Sequence, residues 1–375
     1  MQGVTAKLIF DGNNFLEKKV ILIKNKVIID IVESETIDPK LVVDYGAGII
    51  SAGFIDLQIN GGGGVLFNED ISLAALEKIY QTCIRFGTTH FLPTLITCNF
   101  NDILQGLNIV KEWFNIYGNN RGVLGIHLEG PFISKDKKGI HPEEYIIAPQ
   151  QELLEQIVGY CKYFPIKMTI AVERFTNEQI LYLKNNGVII SIGHSNATYE
   201  QTVNGFNYGI STATHLFNAM SGMTSRNPGV ICAVLNNDVY AGIIADLIHV
   251  DLANINFLHK VKYGKVYLIT DAVTPVGTDI KEFILAGKKL LVKDGKCINE
   301  LGILGGANLT MNKAVYNCVN TCNIKLVDAL KMATTIPAEV MQVKNIGKIR
   351  KGFNANLIHI DLDSSDYSCK LISMI

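Results

Sequence analysis

Four short apolar runs in this chain each end on a side chain that can bind a metal or move a proton. Glu129 follows His127-Leu128 and precedes Gly130-Pro131, His194 follows Ser191-Ile192-Gly193, His215 follows Thr212-Ala213-Thr214, and Asp271 follows Leu268-Ile269-Thr270. A carboxylate at the end of an apolar strand is costly to bury unless something positive meets it. Neutral imidazole is the commonest protein ligand for zinc and related ions. Each residue alone also has an ordinary reading: a strand-end Glu satisfying loop amides, a hydrogen-bonded His, an Asp capping a helix. Together they supply the parts of metal-assisted amide hydrolysis. That chemistry needs a Lewis acid to polarise the carbonyl and acidify water, and a group to deliver a proton to the leaving amine.

Other residues suit a substrate. Arg226 sits in the polar loop SGMTSRNPGV, where bidentate phosphate recognition and a surface salt bridge are both open. His249 follows an apolar run and suits the same anion, and His141, in Lys138-Gly139-Ile140-His141, lies on the loop after Glu129 within reach of a substrate. The glycines Gly61 to Gly64 offer backbone amides to an anion but lack the Lys and Ser/Thr of a nucleotide-binding P-loop. His90 and His127 read as structural, and His259 and His359 as solvent-facing or accessory-domain residues.

These residues need a frame that brings strand ends together. With 375 residues, 48% of them hydrophobic, the chain is long enough for an α/β barrel with a small accessory module. From residue 53 onward, short apolar strands alternate with longer segments of helical periodicity such as 71–86 and 150–161. Strands are expected at 53–59, 89–93, 123–129, 167–172, 188–192, 212–215, 240–245 and 266–270. Eight such units suggest a closed (β/α)8 TIM-like barrel, whose chemistry belongs at the C-terminal strand ends. Before it, runs at 7–10, 19–24 and 27–32 form a small antiparallel sheet, to which a strand at 356–361 returns. The expected division is therefore 1–52 and 346–375 for a small discontinuous β-sandwich domain, and 53–345 for the barrel. A β-like insertion at 279–299 should cover part of the barrel mouth, and 326–341 reads as helical.

Lys plus Arg number 34 against 35 Asp plus Glu, a net charge of -1, so no global field gathers nucleic acid or an acidic membrane surface. A phosphate must be held locally. The eight cysteines form no CxxC pair and read as reduced, mostly buried thiols, with Cys318 and Cys322 as packing residues on one helical face. No apolar run reaches the ~18 residues of a membrane span, and the N-terminus does not resemble an export signal. A cytoplasmic protein with a small-molecule substrate, and neither nucleic acid nor membrane as partner, is expected.

Taken in order, GFIDLQINGGGG, HLEGPF, KGIH, SIGHSNAT, ATHLFNAM, LITDAV and LGGANLTM resemble the N-acetylglucosamine-6-phosphate deacetylase family of amidohydrolases over nearly the whole chain. The resemblance implies the barrel and sandwich, a homodimer, and one divalent metal per subunit, usually zinc. It implies Glu129, His194 and His215 as metal ligands, and Asp271 as the residue that activates the water and then protonates the leaving amine. Ile140 and His141 match a loop that contacts the sugar, the former through its backbone. Asn218, Ala219 and His249 match further contacts to the phosphorylated sugar, and Leu304, Gly305 and Gly306 lie where the family closes the acetyl pocket. Arg226 resembles a phosphate-binding arginine reaching into the neighbouring active site of the dimer.

Three departures stand out. Many amidohydrolases carry His-x-His on the first strand, where this chain has Gln58-Ile59-Asn60, so one metal is expected and Gln58 is a possible first-strand site residue. Leu247 replaces a glycine beside His249. Residues 363–375 lack the hairpin that often finishes the small domain, so an absent or irregular closing strand is expected. Rival readings are an amidohydrolase for a cyclic amide or another N-acetyl amino sugar, and a barrel that binds sugar phosphate without turnover.

Overall fold

The computed structural model describes residues 2–118 and 121–372. Its barrel strands are β1 (Phe54–Ile59), β2 (Thr88–Ile96), β3 (Ile126–Glu129), β4 (Ile166–Ile170), β5 (Ile189–Ile192), β6 (Thr212–Ala213), β7 (Tyr240–Ile244) and β8 (Val266–Ile269). Each pairs in parallel with the next. The seam between β8 and β1 is drawn together just above the strands: Ile59 bridges Ala272, and the Asp271 amide donates to Gln58 O over 3.0 Å. The result is a nearly closed eight-stranded parallel barrel of the TIM type.

The strands form because their outward residues are apolar and mostly branched. Ile55, Leu57, Ile126, Leu128, Ile166 and Met168 belong to one large core with the surrounding helices. Those helices begin where side chains satisfy free backbone amides. Ser72 caps Leu73–Arg85, and Thr176 and Thr198 open Asn177–Asn185 and Tyr199–Tyr208 with reciprocal Gln179 and Gln201 capping boxes. Two expected elements are divided. The strand at 123–129 splits into Gly122–Val123, which pairs with β2, and β3. At Gly125 between them, a Cβ would stand 2.0 Å from Pro165 O, so a side chain there is sterically barred. The helical stretch near 326–341 is two helices, Leu326–Ala333 and Thr335–Val340. Pro337 lacks the N–H that Ala333 O would receive in a continuous helix.

Both chain ends build the sandwich. One sheet runs Val27–Glu33, Lys19–Lys24, Gln2–Thr5, Val42–Asp44; the other runs Cys369–Leu371, Leu357–Ile360, Ile49–Ala52, Leu8–Phe10, Phe15–Leu16. Val4, Ile21, Ile23 and Ile28 pack with Ile9, Ile50 and Leu357. The closing strand does form, as three residues paired antiparallel with Leu357–Ile360; residues 373–375 lie outside the described residues.

The insertion is an antiparallel meander of Glu282–Leu285, Lys288–Lys293, Lys296–Ile298 and Leu304–Ala307. Asp294 and Gly295 both take left-handed φ, 50° and 78°, as a type I′ hairpin requires. Phe283, Leu285 and Leu290 bury against Leu66, Ile96 and Ile140, seating the sheet on the barrel mouth. The cysteines Cys83, Cys297, Cys318 and Cys322 are buried as free thiols. Among the described residues, no helix is long and apolar enough to cross a membrane.

Candidate functional site

Glu129 ends β3, and His194, His215 and Asp271 fall within two residues of the ends of β5, β6 and β8. The latter three have left-handed φ of 48°, 29° and 53°. For residues with a Cβ that conformation costs about 1 kcal/mol or more each, and such strain concentrates at working sites.

The three candidate ligands converge. Glu129 Oε1 lies 2.8 Å from His215 Nε2 and 3.2 Å from His194 Nε2, and the two Nε2 atoms are 3.1 Å apart. His194 Nδ1 donates to Lys137 O over 2.8 Å. A carbonyl only accepts, so neutral His194 turns a lone pair toward the cluster. His215 Nδ1 is buried without a partner among the described residues. Burial pushes the Glu129 carboxyl up, yet hydrogen bonds and charge from His194 and His215 outweigh it and hold it well below the usual range. Two imidazoles and a carboxylate facing one another in so little space form a donor set that suits a divalent ion such as zinc. His141 stands beside them: Glu129, His141 and His194 each place a donor atom within 4.8 Å of the others. Its ring, however, is tied through Nδ1 to Thr97 Oγ1 at 2.9 Å and comes from a loop, whereas His215 makes the shorter contacts from a strand end.

Gln58 lies under this cluster. Its amide donates to Glu129 Oε2 (3.0 Å) and Asp271 Oδ1 (3.1 Å), and Asn60 Nδ2 donates to the same Asp271 oxygen over 2.6 Å. The first strand thus offers amide donors to two carboxylates. Burial first, then the charge of Glu129, raises Asp271 to about 6, against the lowering influence of His215, His249 and Asn60.

Above lies a cavity of about 330 Å³. Glu129, Ile140, His141, His194, His215, Asn218, Ala219, His249, Asp271, Leu304 and Gly306 line it, a convergence of strands and loops that sequence reasoning anticipated. His249 is oriented by Asp246, whose carboxylate accepts from its Nδ1 over 2.7 Å. The same carboxylate receives the Ile248 and His249 amides, holding Leu247 at φ 65° where a glycine was expected. Two expected residues and the glycine run are elsewhere. Gly305 packs under the insertion, where a Cβ would come 2.5 Å from Leu290, and is not in the lining. Arg226 is exposed on its loop and also outside the lining. The glycine run is not an anion cradle, because Gly61, Gly63 and Gly64 donate their amides to Ala272 O, Val276 O and Thr274 O.

Sequence reasoning also missed contributors. Asn60 was signalled by its i, i+2 spacing from Gln58, which puts both on one strand face. Glu173 had no such signal; its carboxylate accepts from Ser195 Oγ (2.6 Å) and the Asn196 amide (2.7 Å), fixing the turn just after His194. Lys288 donates to Ile140 O over 3.1 Å and ties the insertion to the loop bearing His141.

A barrel with this cluster at its C-terminal mouth is the architecture of a metal-dependent hydrolase, and the chain belongs to the amidohydrolase family, which it matches over residues 49–374. It is an enzyme of that family. It is similar to the N-acetylglucosamine-6-phosphate deacetylase of Haemophilus influenzae, with 35% identity over 93% of this chain and 92% of the relative. It is also 36% identical to an N-acetylgalactosamine-6-phosphate deacetylase from Shewanella sp., over 84% of this chain and 80% of the relative. The crystal structure of N-acetylglucosamine-6-phosphate deacetylase from Pasteurella multocida aligns with a TM-score of 0.94 and 38% identity, covering 98% of this chain and 96% of that one.

Proposed function

We propose that the protein hydrolyses the acetamide of N-acetylglucosamine 6-phosphate to acetate and glucosamine 6-phosphate, using one divalent ion, zinc, held by Glu129, His194 and His215. The observation that carries this reading is the meeting of three donor atoms within 3.2 Å at the floor of a cavity wide enough for a sugar. A metal there supplies Lewis acidity, polarising the amide carbonyl and acidifying water.

The chain's own residues do the rest. Asp271, raised to about 6, is poised to accept a proton from water and return it to the departing nitrogen. Both of its listening donors, Gln58 and Asn60, address Oδ1, and Oδ2 has no hydrogen bond among the described residues. Gln58 and Asn60 occupy with N–H donors the place where a second ion would need lone pairs, which favours a single metal. His141 and the Ile140 backbone orient the sugar, and Asn218, Ala219 and His249 hold its phosphorylated end. Leu304 and Gly306 close on the acetyl group. The lining holds no arginine. Exposed Arg226 completes the phosphate site of a second copy in a homodimer, where its planar fork suits bidentate binding.

A second reading, deacetylation of N-acetylgalactosamine 6-phosphate, is favoured by the name and 36% identity of the Shewanella relative. Acetate release from both 6-phosphates and from unphosphorylated N-acetylglucosamine, with and without chelator, separates the readings. The proposal expects chelator-sensitive release that is fastest on the glucosamine 6-phosphate derivative. A faster galactosamine derivative would replace the substrate, and equal rates on the unphosphorylated sugar would remove the phosphate site. Arg226→Ala should raise KM for the phosphorylated sugar selectively.

A further inference from the structure

His141 comes from a loop, yet its ring is only 2% exposed and lines the cavity. What holds that ring is Thr97, the residue just after β2. The strand end is itself clamped: Asn68 Oδ1 accepts from the Ile96 amide over 3.0 Å, and Asn68 Nδ2 donates to Ile96 O over 3.1 Å. Ile96 is in register with Glu129, so Thr97 is set beside the turn that follows the carboxylate. Gly130 leaves room for it, since a Cβ there would lie 2.1 Å from Thr97 Oγ1.

Both polar groups of Thr97 address one atom. Its amide donates to His141 Nδ1 over 3.4 Å, and its hydroxyl stands 2.9 Å from the same nitrogen. An amide N–H only donates, so Nδ1 presents its lone pair and carries no proton. The hydroxyl then donates to Nδ1 as well, in preference to Glu129 O at 3.4 Å. An imidazole with a bare Nδ1 is neutral and keeps its one hydrogen on Nε2. That Nε2 has no hydrogen bond among the described residues, and its ring lines the cavity. A protonated Nε2 has no lone pair for an ion, which removes His141 from the ligand set although its donor atom lies within 4.8 Å of those of Glu129 and His194.

We propose that Thr97 is a positioning residue that locks His141 in the Nε2–H tautomer and so makes it a hydrogen-bond donor to the amide carbonyl oxygen of the substrate. This rests on the deacetylation proposed above. His194 receives the opposite treatment: its Nδ1 donates to Lys137 O, and its Nε2 is left bare for an ion. Two rings with centroids 4.3 Å apart are thus given opposite tautomers, and opposite tasks, by what meets Nδ1. A neutral imidazole donating to a carbonyl holds it more strongly as negative charge develops on the oxygen. The benefit therefore falls on kcat more than on KM.

The tautomer can be read without substrate, by neutron diffraction from crystals of the zinc-loaded wild type exchanged into heavy water. Deuterium should appear on His141 Nε2 and be absent from Nδ1; deuterium on Nδ1 would overturn the proposal. Thr97→Val keeps the shape and the backbone amide but loses the hydroxyl. It should lower kcat on N-acetylglucosamine 6-phosphate about tenfold, with KM within about twofold and zinc content unchanged. Thr97→Ser, which restores the hydroxyl, should return kcat to within about twofold of wild type. An unchanged kcat in Thr97→Val, or an equal loss in Thr97→Ser, would also count against the assignment. Should Thr97→Val fail to fold, the neutron map of wild type still decides. A wild type that releases no acetate from the 6-phosphate sugars would instead bring down the deacetylation reading, whichever nitrogen of His141 carries the deuterium.

Discussion

Between the terminal sheets Val4, Ile9, Ile21, Ile28, Ile50 and Leu357 meet as an apolar layer, whereas inside the barrel Asp56, Thr94, His127, Lys167, Thr169, Ser191 and Thr214 are all buried below the pocket. The first arrangement stabilises by area. Each fully buried aliphatic side chain contributes roughly 1.5–3 kcal/mol, without demanding a particular orientation. The second stabilises little per contact, about 1 kcal/mol net for each hydrogen bond, but every bond fixes a direction. The barrel strands can hold a polar interior because their outward residues already supply the apolar packing. Stability and aim are thus assigned to opposite faces of the same strands.

That contrast can be broken at several points. Asp271→Asn should keep the metal yet lower kcat by about 10³-fold, equivalent to about 4 kcal/mol; near-normal turnover would remove Asp271 from proton transfer. Ile50→Ala should cost about 2–5 kcal/mol in urea denaturation while leaving zinc stoichiometry and KM unchanged. A change in metal uptake would show that the two interiors are not separate in their effects.

A pH titration of stability sharpens the difference further. Burial lowers His90 to about 4, below its unfolded value near 6.5. Because the unfolded chain then binds more protons, this contribution is complete above pH 6.5 and is lost as pH falls toward 4, about 3 kcal/mol in all. Buried His127 and His141 are shifted in the same direction. Buried Asp56, raised to about 7, acts in the opposite sense over the same range, so the comparison is with His90→Gln: the stability advantage of wild type over that variant should shrink between pH 7 and pH 5, and by the same amount in an Ile50→Ala background, since Ile50 has no charge to lose. A pH-independent difference would contradict neutral burial of His90. The smallest effect belongs to Leu247, whose left-handed φ costs roughly 1 kcal/mol. Leu247→Gly should recover part of that in thermal denaturation, less what its apolar packing contributes.

Much of the barrel and most of the pocket could be read from the chain. Glu129, His194, His215 and Asp271 each follow an apolar run, and a parallel barrel brings such ends to one mouth. What stayed hidden depends on direction. Lys167 in Lys167-Met168-Thr169-Ile170 alternates as a solvent-facing lysine on an edge strand would; only barrel closure turns that face inward. The amides of Gly61, Gly63 and Gly64 looked available because their acceptors lie more than 200 residues away, in the segment after β8. Glu173 and Lys288 act on turns that sequence spacing does not connect to them.

The central claim is that one ion, held by Glu129, His194 and His215, is what makes the barrel a catalyst. The most direct test is to titrate zinc into chelator-stripped protein while following acetate release from N-acetylglucosamine 6-phosphate. Activity should rise in proportion to metal and stop rising at one equivalent per chain, with no rise in Glu129→Ala. A plateau at two equivalents, or full activity in the stripped protein, would contradict the account.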